Sequence, residues 1–180
     1  MAHRSSSHTI DPAAATAMLA GPRIAVIGAS DRSGNFGATI HRALREHGVE
    51  AVAVHPTAPS VDGEPCYASI AEVPGPVDAA IVAVSGPPSV EAVKACEANG
   101  VGKVWLFQGI GGRGAASDEA IRAAEDLGLE VIPGACPLMF LEPVGWFHRL
   151  HRAARRRNGS VSSAPVAVRG GSGPHEEGAA

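Results

Sequence analysis

A chain of 180 residues, 45% apolar, 18% charged and only 4% aromatic, has the length of one domain with an extension. Its core must be filled by small and β-branched side chains. Few aromatics argue against a nucleic-acid stacking surface, no apolar run approaches the roughly 20 residues of a bilayer span, and Cys66, Cys96 and Cys136 are too few and too scattered for a disulfide framework or a zinc ribbon.

The net charge of −3 divides unevenly, with 10 basic and 16 acidic residues over 1–150 against five Arg and two Glu over 151–180. A flexible start (1–9), a folded body (10–150) and a disordered Gly-, Ser-, Ala- and Pro-rich tail (151–180) are expected. Met1 to His8 lacks the apolar segment of a secretory signal, and reduced cysteines suit a cytoplasmic location.

In chain order, Asp11 and Pro12 start a helix of good formers that Gly21-Pro22 ends. Arg23–Ile27 is a first strand, followed by a glycine-bearing loop and a helix over 35–47 with Phe36, Ile40, Ala43 and Leu44 at helical spacing. Val49–Val54 is a second strand, stopped by His55-Pro56. Residues 56–76 carry five prolines and read as an ordered connection, with one helical turn near Ser69–Glu72. The rhythm resumes with a strand over 77–84, a helix over 88–98, a strand over 103–108, a helix over 115–127 and a strand over 129–132. The strands are continuously apolar, as burial on both faces requires. Repeated βαβ units with right-handed crossovers predict a doubly wound, Rossmann-like α/β domain: about five parallel strands with helices on both faces. Leu138–Leu150, with Phe140, Leu141, Trp146 and Phe147, reads as a closing segment.

Ligands of such sheets bind beyond the carboxyl ends of the strands, and four special segments fall there. They are Gly28-Ala-Ser-Asp-Arg-Ser-Gly34-Asn-Phe-Gly37, Ser85-Gly-Pro-Pro88, Gln108-Gly-Ile-Gly-Gly-Arg-Gly114 and Pro133-Gly-Ala-Cys-Pro137. In the first, glycines allow a tight turn and a close approach, and the following helix offers N–H groups to a phosphate. The spacing is Gly-x5-Gly-x2-Gly rather than the dinucleotide Gly-x-Gly-x-x-Gly, and strand two ends in His55 where a dinucleotide site wants Asp or Glu.

Structural readings stand beside these. Gly28 and Gly37 could serve only the strand-to-helix turn, Arg32 could be a solvated loop charge, and Ser85–Pro88 could be a rigid helix start. Cys136 could be an inert thiol at a strand end, His41 and His47 surface or packing residues, and Trp105 and Phe107 core. No His/Cys/Asp/Glu group has metal-ligand spacing.

Val26-Ile-Gly-Ala-Ser-Asp-Arg32, Val54-His-Pro56, Asp62-Gly63, Tyr67, Val77-Asp78, Ser85–Pro88, Trp105-Leu-Phe-Gln-Gly109 and Cys136-Pro137 occur in an order that resembles the CoA-binding domain. That domain opens the succinyl-CoA synthetase alpha subunit and also occurs as small stand-alone bacterial proteins; the resemblance spans 24–138. It implies a CoA or acyl-CoA site along the rim. Gly28, Ala29, Ser30, Arg32, Gly34, Asn35 and Gly37 match the phosphate-holding loop, with Arg32 as phosphate partner. His55, Pro56, Ser85, Pro87 and Pro88 would flank the nucleotide and pantetheine, while Gln108, Gly109, Cys136 and Pro137 would approach the thiol end. The ligase to which it is similar works through a phosphohistidine on a further domain.

The leading expectation is therefore a non-catalytic CoA or acyl-CoA binding protein acting as sensor, carrier or partner module, with no nucleic acid or membrane as partner and a homodimer or protein partner open. Two alternatives remain: an NAD(P)-type oxidoreductase or redox regulator in the same cleft, and an interaction module that keeps only the fold and presents Trp146-Phe147. A mixed disulfide between Cys136 and CoA is a further option.

Overall fold

A computed structural model describes residues 9–109 and 114–141. The chain runs α1 (Pro12–Leu19), β1 (Arg23–Ile27), α2 (Phe36–Glu46), β2 (Glu50–Val54), β3 (Ser60–Val61), β4 (Glu64–Tyr67), β5 (Ala79–Val82), α3 (Pro87–Ala98), β6 (Lys103–Phe107), α4 (Asp118–Asp126) and β7 (Glu130–Ala135). Single 3-10 turns sit at Ile70–Glu72 and Pro137–Met139. The sheet order is β3-β4-β2-β1-β5-β6-β7, parallel throughout except where β3 meets β4. From β1 the chain steps outward to β2, then returns across to β5 on the other side. The carboxyl ends of β1 and β5 are thus the switch point of a doubly wound sheet, confirming the expected architecture.

Strand alternation feeds two cores. Ile24, Val26, Ala53, Ile81, Trp105 and Phe107 pack under α1, α2 and residues 139–141, while Ala25, Val52, Val82, Val104 and Leu106 pack under α3 and α4. Trp105 is fully buried; its indole Nε1 donates to the Ala135 carbonyl (2.9 Å), and Phe140 meets its ring edge-on at 5.4 Å.

Among the described residues seven strands replace the expected five or so, because the proline-rich connection contains a small hairpin. Its turn, Asp62 (φ 51°) and Gly63 (φ 79°), has the two positive φ values of a type I′ turn. Arg42 pairs with Asp62 and Arg45 with Glu64 (2.6 Å), tying the hairpin to α2. The strand expected over 77–84 contracts to β5. The last strand instead runs on to Ala135, absorbing Pro133 and Gly134 through a register shift between Leu106 and Phe107. Proline is tolerated there because β7 is an edge strand. The helix expected from 115 begins at Asp118, after the Ser117 cap. Of the expected flexible ends only Thr9 is described; the remainder, and Trp146-Phe147, lie outside the described residues.

His41 is fully buried on α2. Its Nε2 lies 3.2 Å from the Ala51 carbonyl, which can only accept, so the proton sits on Nε2; Nδ1 is buried without a partner. Burial holds its pKa below 6.5, opposed by the Ala51 bond, with Arg45 lowering it and Asp62 and Glu64 raising it. The unfolded chain therefore binds the proton more readily than the folded one. Stability is complete above pH 6.5 and falls as pH drops below it toward the folded value. Urea unfolding at successive pH values between 7.5 and 5.5 should show this loss in the wild type and a smaller one in His41→Leu; equal slopes would remove His41 as its source.

Candidate functional site

The loop after β1 is built by an unusually close contact. Gly37, in the first turn of α2, is so near the preceding loop that a Cβ would stand 2.8 Å from both the Ala29 Cα and the Gly28 carbonyl oxygen. Gly28 (φ 97°) in turn presses against the end of β5, where a Cβ would lie 2.6 Å from Val84 Cγ1. Its N–H donates to the Val54 carbonyl at 2.8 Å, so the backbone turns directly between the ends of β2 and β5.

Asn35 fastens this arrangement. Its Oδ1 accepts from Ala38 N–H (2.7 Å), capping α2, and from Ser30 N–H (3.3 Å), while Nδ2 donates to the Gly28 carbonyl (3.0 Å). The side chain is committed to the chain's own backbone and acts by shaping the loop. Asp31 Oδ1 accepts from Asp62 N–H at 2.9 Å and joins the loop to the hairpin turn. Ser30 is 2% exposed, and its Oγ is buried without a hydrogen-bond partner. Arg32 and Gly34 are exposed, and the Arg32 side chain makes no ion pair among the described residues.

Three helices begin on this rim, and they differ chemically. The first two positions of α3 are Pro87 and Pro88, which have no N–H; Ser89 N–H and Oγ both donate to the Gly86 carbonyl (2.9 and 2.7 Å). At α4, Ser117 Oγ accepts from Ala120 N–H, and Asp118 and Glu119 put negative charge in the first turn, repelling an anion. α2 has no acidic residue in its first turn, and Phe36 and Gly37 N–H have no intrahelical acceptor at that position. Phe36, expected on the apolar face of this helix, is instead 59% exposed, its ring leaning on Phe107 with centroids 5.6 Å apart. Helical spacing does not show that the first position of a helix overhangs the rim.

The other expected residues take varied positions. His55 Nδ1 accepts from Thr57 and Ala58 N–H (3.3 and 3.2 Å), so the ring caps its own turn, beside exposed Pro56. Ser85 is exposed at the end of β5, next to the Gly86 start of α3. Gln108 and Gly109 are half-buried beyond β6, where Gln108 bridges to Gly114; residues 110–113 of that glycine-rich loop lie outside the described residues. Cys136 and Pro137 are buried just beyond β7. The described parts of all four segments share one rim. Elsewhere, a concavity of about 440 Å³ follows the outer edge of β2, but its charges are already engaged, Arg23 Nε with Glu50 (2.9 Å) and Arg45 with Glu64.

A family model described as "CoA binding domain" matches residues 22–142. Acetate–CoA ligase (ADP-forming) I of Archaeoglobus fulgidus is 35% identical over 118 residues, 63% of this chain; the matched region is 17% of the ligase. Two solved structures are similar. A hypothetical protein from Pyrococcus horikoshii OT3 superposes with a TM-score of 0.66 at 22% identity, covering 80% of this chain and 98% of that one. A conserved hypothetical protein from Pyrococcus furiosus superposes with a TM-score of 0.57 at 30% identity, covering 63% and 94%.

The loop geometry predicts two stability losses measurable by denaturant unfolding. Asn35→Ala removes a helix cap and two loop bonds and should cost about 2 kcal/mol. Gly37→Ala should cost about 1–3 kcal/mol by driving the new methyl into backbone that cannot yield, outweighing the roughly 1 kcal/mol that alanine gains in a helix. A stabilised Gly37→Ala variant would contradict the close contact.

Proposed function

This chain belongs to the CoA binding domain family, and on that premise we propose that it binds CoA or a CoA thioester across the rim, the phosphates resting against the start of α2. The observation that carries the reading is the Ser30 hydroxyl, buried without a partner in the loop beneath a helix start that offers the Phe36 and Gly37 N–H groups and no carboxylate. A phosphate oxygen supplies the acceptor that Ser30 lacks, and the helix dipole and Arg32 favour its charge. The acidic balance of the body, −6 over 1–150, matters less than this local field.

Pro87 and Pro88, which donate nothing, give the opposite wall of the cleft a steric and apolar contact with the ligand. His55 supplies no carboxylate for a ribose at the end of β2, and its Nδ1 is engaged by backbone; both observations weigh against an NAD-type site. A binding role, as sensor, carrier or partner module, fits the condition of the side chains that a reaction would recruit. Burial pushes the Cys96 thiol up to about 12, His41 is buried against Ala51, and His55 caps a turn. The matched region is 17% of the acetate–CoA ligase, so that enzyme's catalysis is assigned to none of the residues here.

Isothermal calorimetry with CoA, acetyl-CoA, NAD, NADP and FAD tests the reading: CoA or acetyl-CoA should bind, and binding of NAD without CoA would overturn it. Arg32→Glu should weaken CoA by about 1.5–3 kcal/mol, the range of a charge-assisted contact; unchanged affinity would take Arg32 out of the site.

A further inference from the structure

Phe36 is a large apolar side chain at the rim whose exposure packing does not explain. Single exposed hydrophobic residues are common, so exposure alone says little; the position of this one is informative. It is the first residue of α2, beside the N–H groups assigned to phosphate, and its ring has two different sides. One leans on Phe107, at an interplanar angle of 35°, and Phe107 is itself 4% exposed and part of the core. The other contributes to the 59% of the residue left in water. The pair forms a shelf, anchored below and open above.

The shelf also has a direction. α2 starts from the end of β1, while Phe107 ends β6, and the sheet order between them is β1-β5-β6. Phe36 therefore reaches across the switch point and away from β2. In doubly wound sheets the ribose of a bound nucleotide is held at the end of the second strand, so the non-nucleotide arm of a ligand centred on the α2 start extends the other way. For CoA that arm is pantetheine, whose dimethyl and methylene groups match an aromatic face, as the adenosine diphosphate half does not require. Further along the same path lie Gln108, which follows Phe107, and Cys136, which follows its β7 neighbour Ala135.

We propose that Phe36, backed by Phe107, is a specificity-determining residue that seats the pantetheine arm, so that the protein distinguishes CoA and its thioesters from nucleotides carrying the same phosphates. The proposal rests on the phosphate assignment above, and its test separates the two. Calorimetry compares wild type, Phe36→Ala and Phe36→Leu against CoA and against 3′-phospho-ADP, the nucleotide half of CoA. Phe36→Ala should lose about tenfold in CoA affinity, the order of burying part of an aromatic side chain, and keep its 3′-phospho-ADP affinity within about twofold. Phe36→Leu, which restores an apolar surface, should recover most of the loss. Equal losses for both ligands, or no loss for CoA, would overturn the pantetheine seat while leaving the phosphate site standing. A wild type that binds neither ligand would overturn the phosphate site and this proposal with it. Because Phe36 is exposed, both variants should unfold at the wild-type temperature without ligand.

Discussion

The approach of α2 to the backbone of Gly28 and Ala29 governs most of what the rim can do. With no Cβ on Gly37, the first helical turn settles against the loop, and Asn35 then spans the junction with three hydrogen bonds. These contacts bury Ser30, leave the Phe36 and Gly37 N–H groups at a helix start where they have no intrahelical acceptor, and put Phe36 at the rim beside Phe107. A helix displaced by a side chain at Gly37 would lose all three features together.

The three helix starts show how similar topology yields different chemistry. Each follows a parallel strand, and each would carry a positive dipole end if sequence did not intervene. Pro87 and Pro88 remove donors from one, Asp118 and Glu119 cancel the field at another, and the third retains both donors and field. The local sequence at each βα junction, more than the fold, decides where an anion is tolerated.

Much of this was legible in the sequence because the determining signals are local. The continuous apolar runs marked the parallel strands, Asp11-Pro12 and Gly21-Pro22 bounded α1, and the glycines of the first loop marked a turn with a close approach. The hairpin escaped because β3 and β4 have two and four residues and β4 contains Pro65, leaving Asp62-Gly63 as its sole strong signal. Its anchors, Arg42–Asp62 and Arg45–Glu64, are long-range pairs without periodicity. Asn35 was legible as a rim residue but not as a fastener, since its partners are backbone groups up to seven positions away. The β7 extension through Pro133 and Gly134 depends on the strand being an edge, which strand order alone reveals.

The two sides of the rim are assembled from different ranges of sequence. The loop and helix start proposed for the phosphates occupy residues 28–38, one continuous βα turn whose Asn35 bonds span at most seven positions, with Gly28 and Asp31 tying it to Val54 and Asp62. The Phe36–Phe107 shelf joins residues 71 positions apart and exists only when β5 and β6 have docked. In folding, the Asn35 bonds of the first part can form within their own βα unit, while the shelf waits for β5 and β6. The segment proposed for the phosphates is thus one short stretch of sequence, whereas the surface beside it is assembled from distant strands, so a substitution on β6 can reshape the one without altering the residues of the other.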